Sequence, residues 1–120
     1  MAHHTATHTS PEMQQCVDEC LDCYAICEST MRYCVESGGK HAEPSHLRLL
    51  ADCTAICQTS AGFMLRGSDL HTRVCGVCAE VCRRCADSCT QVDPSDQTMK
   101  DCAAQCRSCA DSCERMAGRA

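Results

Sequence analysis

Residues 75–89 read CGVCAEVCRRCADSC, and their five cysteines are separated by alternating steps of three and four positions. Such steps place side chains on one face of an α-helix, in the stripe where leucine normally packs into the core. Similar ladders recur in three other segments, so the pattern predicts amphipathic helices whose buried stripe consists of thiols. The sixteen cysteines are Cys16, Cys20, Cys23, Cys27, Cys34, Cys53, Cys57, Cys75, Cys78, Cys82, Cys85, Cys89, Cys102, Cys106, Cys109 and Cys113.

Helix start and stop signals divide the chain into four segments. Ser10 followed by Pro11 is typical of a helix start, and the Gly38-Gly39 pair is typical of a helix end. Proline, serine-aspartate and glycine signals punctuate the rest of the chain in the same way. We expect a flexible histidine-containing tail at 1–10 and a bundle at 11–118, with helices over about 11–37, 44–66, 69–91 and 94–117.

The fold class that follows is all-α, an antiparallel up-down-up-down four-helix bundle with a cysteine-lined core. The predicted connections are short, which makes sequential helices antiparallel neighbours. Leu, Ile, Val and Phe together make up only about an eighth of the 120 residues, so cysteine must supply much of the buried surface. The octapeptides CRRCADSC at 82–89 and CRSCADSC at 106–113 suggest that a helical unit was duplicated.

Several classes of function are disfavoured by composition. The net charge of −5 and the scarcity of aromatic residues argue against nucleic-acid binding. No run of about 18 apolar residues exists to span a membrane, and residues 1–11 do not resemble a secretory signal. We therefore expect a cytoplasmic protein with reduced thiols. No catalytic triad, phosphate-binding loop or paired-carboxylate cleft is visible, so we expect no enzyme.

The cysteine spacing favours metal binding over disulfides. Residues three or four apart on a helix have Cβ atoms about 5–6 Å apart, whereas a disulfide requires about 3.5–4.5 Å. Two such thiols are nevertheless well placed to hold one ion between them. Seven pairs have the spacing Cys-x-x-x-Cys, on all four predicted helices: 16/20, 23/27, 53/57, 78/82, 85/89, 102/106 and 109/113.

Charge balance distinguishes between the soft metals that thiolates prefer. Four Zn(Cys)₄ sites would leave a core charge of about −8, and no Lys or Arg lies on the cysteine stripe to offset it. One Cu(I) per thiolate is neutral, because one proton leaves as each ion binds. The sequence thus favours multiple Cu(I) ions per chain, with another soft metal such as zinc as the alternative.

Methionine and histidine extend the stripes to both ends of the bundle. Antiparallel packing would gather Met13, Met64, His71 and Met116 at one end, and Met31, Cys34, His46 and Met99 at the other. His71 precedes Cys75 by four positions, which is the spacing of a chelating pair, so we predict that it is a ligand. The candidate entrance residues are Met13, Met64, Met116 and His46, with core packing as the competing interpretation of the methionines.

The ladders resemble those of the bacterial copper storage proteins, specifically the cytosolic branch, over about residues 11–117. The resemblance implies that all sixteen cysteines are Cu(I) ligands and that the protein is a homotetramer. It also implies a mouth near His71 and its neighbouring methionines. The second helix departs from the pattern, because its stripe carries only Cys53 and Cys57.

We therefore expect a cytoplasmic Cu(I) store or buffer that exchanges copper with donor and acceptor proteins. A copper chaperone or transfer protein is the main alternative, although one exposed pair of cysteines would suffice for that role. A redox protein would need thiol pairs at bonding distance, which helical spacing does not supply.

Overall fold

The computed structural model describes residues 10–118. The predicted flexible tail, apart from Ser10, lies outside the described residues, as do its three histidines, His3, His4 and His8. Within the described part of the chain, four α-helices and one short 3₁₀ segment account for the regular structure. Their bounds are α1 Pro11–Ser37, the 3₁₀ segment Gly39–Ala42, α2 Pro44–Leu65, α3 His71–Val92 and α4 Gln97–Ala117.

The four helices form a bundle in which each helix packs against two neighbours. α1 contacts α2 and α4, while α3 contacts the same two helices from the other side. Cys16 near the start of α1 meets Cys113 near the end of α4, and Cys27 meets Cys102, so these helices run antiparallel. The bundle measures 45 × 25 × 19 Å. The predicted four-helix fold with a cysteine-lined core is confirmed.

Side-chain caps define two of the helix starts. Ser10 Oγ accepts a hydrogen bond from the Met13 amide at 3.1 Å, ahead of Pro11 in the first turn. Asp96 Oδ1 accepts one from the Met99 amide at 3.0 Å. Such caps satisfy backbone donors that have no partner inside the helix. Gly38 ends α1 with a φ of 69°, a conformation that favours glycine.

Helices α3 and α4 begin later than the sequence signals indicated, at His71 instead of 69 and at Gln97 instead of 94. Ser68 does not start α3, because its side chain and carbonyl accept hydrogen bonds from Leu70 and His71 in a preceding turn. Pro94 lies in the turn before α4, where the capping carboxylate of Asp96 sets the start of the helix.

Exposed ion pairs connect α3 and α4 between the two related octapeptides. Arg83 contacts Asp111 at 3.3 Å and also contacts Glu114, while Arg107 contacts Asp87 at 3.2 Å. Pairs as exposed as these contribute only about 0–1 kcal/mol each. Their main effect is therefore to favour one register of α3 against α4.

We predict that Asp96→Ala lowers the urea concentration at which the apoprotein unfolds. The change removes the cap of α4 and a 2.5 Å hydrogen bond that Asp96 accepts from the Tyr33 hydroxyl of α1. Urea unfolding under reducing conditions measures the decrease. Asp101→Ala, at an exposed position of α4, is the matched control. Equal stabilities of the two variants would show that this cap does not matter.

Candidate metal centre

The interior of the bundle is a column of thiols. All sixteen cysteines have 0% exposure, and none forms a disulfide. Each of the four helices contributes, because the three-four spacing keeps its cysteines on the inward face. The remaining inward positions hold mainly small or flexible residues such as alanine and methionine.

Sulfur atoms from different helices approach one another closely along this column. Cys20 and Cys113 are separated by 3.5 Å, and Cys57 and Cys82 by 3.6 Å, between Sγ atoms. Within α1, the Cys23 and Cys27 Sγ atoms are 3.9 Å apart. At a metal–sulfur distance of about 2.3 Å, two sulfurs on one ion lie roughly 3.8–4.6 Å apart, from tetrahedral to linear geometry. The apoprotein thus holds its thiols close to the separation that a shared ion requires.

The possible ligand groups overlap instead of forming separate sites. In five such groups the Sγ atoms lie within 4.8 Å of one another, and several cysteines belong to more than one group. Shared membership favours thiolates that bridge ions along the column over isolated four-thiolate sites. These five groups are Cys20, Cys78, Cys109 and Cys113; Cys23, Cys53, Cys57 and Cys82; Cys23, Cys27, Cys53 and Cys106; Cys57, Cys78, Cys82 and Cys109; and Cys16, Cys75 and Cys113.

Three residues interrupt the thiol column. Leu50 and Ser60 of α2 are fully buried at stripe positions on either side of Cys53 and Cys57. The Ser60 hydroxyl contacts Cys75 Sγ at 3.3 Å. Thr30 of α1 is 1% exposed, and its hydroxyl has no hydrogen-bond partner in the described residues. The stripe of α1 therefore lacks a cysteine at one buried position, as the stripe of α2 does at two.

Burial and neighbouring thiols change the acidity of the cysteines. Burial raises the pKa of Cys34 to about 11, from an ordinary value of 9.0. Hydrogen bonding with Cys102 is the main cause of the raised pKa of Cys89. Between Cys102 and Cys106, the thiol contact lowers the pKa of Cys102 and raises that of its partner. A thiolate in the column is thus stabilised where neighbouring thiols donate to it.

One end of the column carries the predicted thioethers. Met64 and Met116 are buried there, and Met13 packs against the core from a half-buried position. His71 is half-buried, and its Nδ1 donates to the Ser68 carbonyl at 2.7 Å, with no hydrogen bond to Cys75 within residues 10–118. In the neutral ring this donor leaves Nε2 with the lone pair. His71 remains a predicted ligand.

The opposite end brings Cys34, His46 and Met99 together as expected from their stripes, and it adds His41. Cys34 Sγ lies 3.4 Å from His46 Nε2 and 3.7 Å from Met99 Sδ. It also lies 4.0 Å from His41 Nδ1, on the 3₁₀ segment. Burial lowers the pKa of His46, which keeps its imidazole neutral near pH 7.

Sequence reasoning missed His41 because this residue belongs to a connection, not to a helical stripe. The available signal was a second histidine five positions before His46 and two positions after Gly39. Met31 is half-buried, packs against the core and also lines a surface groove with Val35, whereas Thr30 takes the fully buried position between Cys27 and Cys34.

Comparison with known proteins now identifies the family. Residues 9–118 match the family model of the copper storage proteins. The chain belongs to the copper storage protein family. The resemblance inferred from the cysteine ladders is confirmed.

Three solved structures of similar proteins share the fold. A protein from Nitrosospira multiformis is 47% identical, with 88% of this chain and 94% of that chain covered at a TM-score of 0.82. The Cu(I)-bound copper storage protein BsCsp3 is 28% identical, with 89% and 99% covered at a TM-score of 0.82. Ccsp from Streptomyces lividans, loaded with 10 copper equivalents, is 27% identical, with 88% and 83% covered at a TM-score of 0.76.

No helix in residues 10–118 combines the length and the apolar character needed to cross a bilayer.

We predict that the apoprotein loses stability as the pH rises from 9 to about 11. In this window the unfolded chain releases the Cys34 proton while the folded chain retains it, so ionisation favours unfolding. Anaerobic urea unfolding at about pH 8 and about pH 10.5 would measure the loss. Cys34→Ser should show a smaller loss than the parent protein. The same or a larger loss in this variant would contradict the assignment.

Proposed function

We propose that this copper storage family member stores Cu(I) in the cytoplasm, on the thiolates of its bundle core. The observation that carries the proposal is the column of sixteen buried, unbonded thiols at near-ligating separations. The Cu(I)-bound BsCsp3 and copper-loaded Ccsp structures, which share the fold, support the choice of ion. The description of a Streptomyces lividans relative as cytosolic supports the location.

Charge neutrality explains how such a core can fill. Each Cu(I) that replaces a thiol proton leaves the net charge of the interior unchanged, so binding adds no buried charge that would need a counter-ion. A divalent ion on four thiolates would add two negative charges at each site. Because the thiols are already gathered in the apoprotein, loading requires little rearrangement of the helices.

We assign the ligand roles by position in the column. The proposed Cu(I) ligands are all sixteen cysteines, with His71 as an additional ligand at one end. Met13, Met64 and Met116 form a proposed thioether entrance near His71, and His46 belongs to the opposite end. The buried positions of Met64, Met116 and His46 support these roles.

We propose that copper donor and acceptor proteins exchange ions with this protein. We also propose that it is not an enzyme and that it does not bind nucleic acid. By family resemblance we propose a homotetramer. Val35 and Val77 on the outer surface are exposed by more than half of their area, and contacts between subunits would cover such side chains.

We predict tight uptake of many Cu(I) ions per chain, on the order of one per thiol, with about one proton released per ion at neutral pH. Anaerobic titration against a chromogenic Cu(I) chelator gives the capacity, and a pH-stat gives the proton release. Saturation at one or two ions would favour a chaperone. Tight binding of Zn(II) in preference to Cu(I) would favour a zinc protein.

We predict that replacing one ladder pair, Cys78→Ser with Cys82→Ser, lowers the capacity by a few ions and preserves the helical fold. The hydroxyls keep the approximate shape of the thiols but are poor ligands for soft metals. Chelator titration and circular dichroism are the two measurements. Ser29→Ala, on the outer face of α1, should retain the full capacity. Loss of all binding in the double variant would contradict storage at several positions along the core.

A further inference from the structure

We propose that Cys34, His41, His46 and Met99 form a mononuclear copper site at one end of the thiol column. Because His41 is one of the ligands, the bound metal would hold the 3₁₀ segment in place as a cover over the site. The choice of Cu(I) rests on the proposed storage function, whereas the ligand set rests on the geometry alone. Four donors of three chemical kinds converge here, unlike the all-thiol groups elsewhere in the core.

The donor separations suit one ion. Cys34 Sγ is 3.4 Å from His46 Nε2, 3.7 Å from Met99 Sδ and 4.0 Å from His41 Nδ1. Nitrogen and sulfur ligands bound at about 2.0–2.3 Å in trigonal or tetrahedral geometry lie roughly 3.4–4.0 Å apart. Each of the other three donors lies within 4.0 Å of Cys34 Sγ, and the Cys34 thiolate would balance the charge of a single Cu(I).

Both imidazoles are oriented by hydrogen bonds on their far sides. His41 Nε2 donates to Asp93 Oδ2 at 3.0 Å, which leaves the Nδ1 lone pair facing Cys34. His46 Nδ1 lies 2.8 Å from Ser88 Oγ, and its Nε2 faces Cys34. Metal-binding histidines characteristically have such a second partner, which fixes the tautomer and the ring orientation. This arrangement exists before any ion binds.

The chemistry of the donors also distinguishes this site from the column. One thiolate, two imidazoles and one thioether suit copper, whereas a thioether is not a usual zinc ligand. The hydrogen-bond partners of Cys34 Sγ within residues 10–118 are these donors and not other cysteines. Thr30 lies between Cys27 and Cys34 on the stripe of α1, so a hydroxyl replaces the thiol that would connect the two regions.

The segment that carries His41 is attached to the rest of the bundle by few contacts. Its packing is mainly against α1 and α2. Its links to the α3–α4 turn are the His41–Asp93 hydrogen bond and a 3.7 Å contact between Lys40 and Asp93. The other three donors lie on α1, α2 and α4, so an ion bound to all four would fasten the segment to three helices. Release of the ion would loosen the same cover.

The test uses the full chain, labelled uniformly with ¹⁵N so that imidazole and backbone amide signals are both observed, in the apo form and after Cu(I) loading. His41→Gln and His46→Gln assign the two imidazole signals. We expect His41 Nδ1 and His46 Nε2 to shift on loading, and the amides of residues 39–42 to exchange more slowly with solvent. In the His41→Gln variant, Cu(I) loading should still shift the His46 signal. The amides of residues 39–42 should then exchange at the apo rate even in the loaded protein. Glu43→Gln, an exposed neighbour, should behave like the parent protein.

The outcomes separate this proposal from the storage function. If the loaded protein binds many ions but neither imidazole signal shifts, the mixed-donor site is refuted and storage stands. If only one or two ions bind and both imidazole signals shift, the site is supported and storage is refuted. Shifted imidazoles with unchanged exchange at 39–42 would overturn the role of the segment as a cover.

Discussion

The cost of burying charge is the constraint on which this structure depends. A thiol can occupy an apolar interior only while it is neutral, as a thiol or as a thiolate paired with a monovalent cation. Sixteen cysteines therefore pack as small hydrophobic side chains in the empty protein. The absence of Lys and Arg from the inward faces is compatible with this condition, because no buried countercharge is needed in either state. Under the proposed function, the sulfur atoms that pack the core are also the atoms that would bind the metal.

The fold and the thiol column were predictable from the sequence because both follow from one periodicity. Steps of three and four fix the inward face of a helix, and four such faces with short connections leave few alternatives to an antiparallel bundle. The periodicity also placed Cys34, His46 and Met99 at one end. It carried no information about His41, which reaches the same place from a connection whose path depends on the Gly38 turn and on Asp93.

The departures from the sequence predictions have local physical causes. Met31 is only half-buried because Thr30, one position earlier, takes the fully buried place on α1. The starts of α3 and α4 are displaced because Ser68 and Pro94 lie in turns, and the Asp96 carboxylate is the group that caps α4. In each case two neighbouring residues offered similar signals, and short-range hydrogen bonds or the inward direction of the helix face decided between them.

The ion pairs between α3 and α4 have a consequence for how the bundle could arise. Arg83 and Asp87 occupy the same places in their octapeptide as Arg107 and Asp111 do in theirs, and each arginine pairs with the aspartate of the other copy. The motif is therefore self-complementary about a local two-fold axis. A single helix bearing it could dimerise with its own copy before any second version existed. Half of the present core can thus be viewed as one helix used twice.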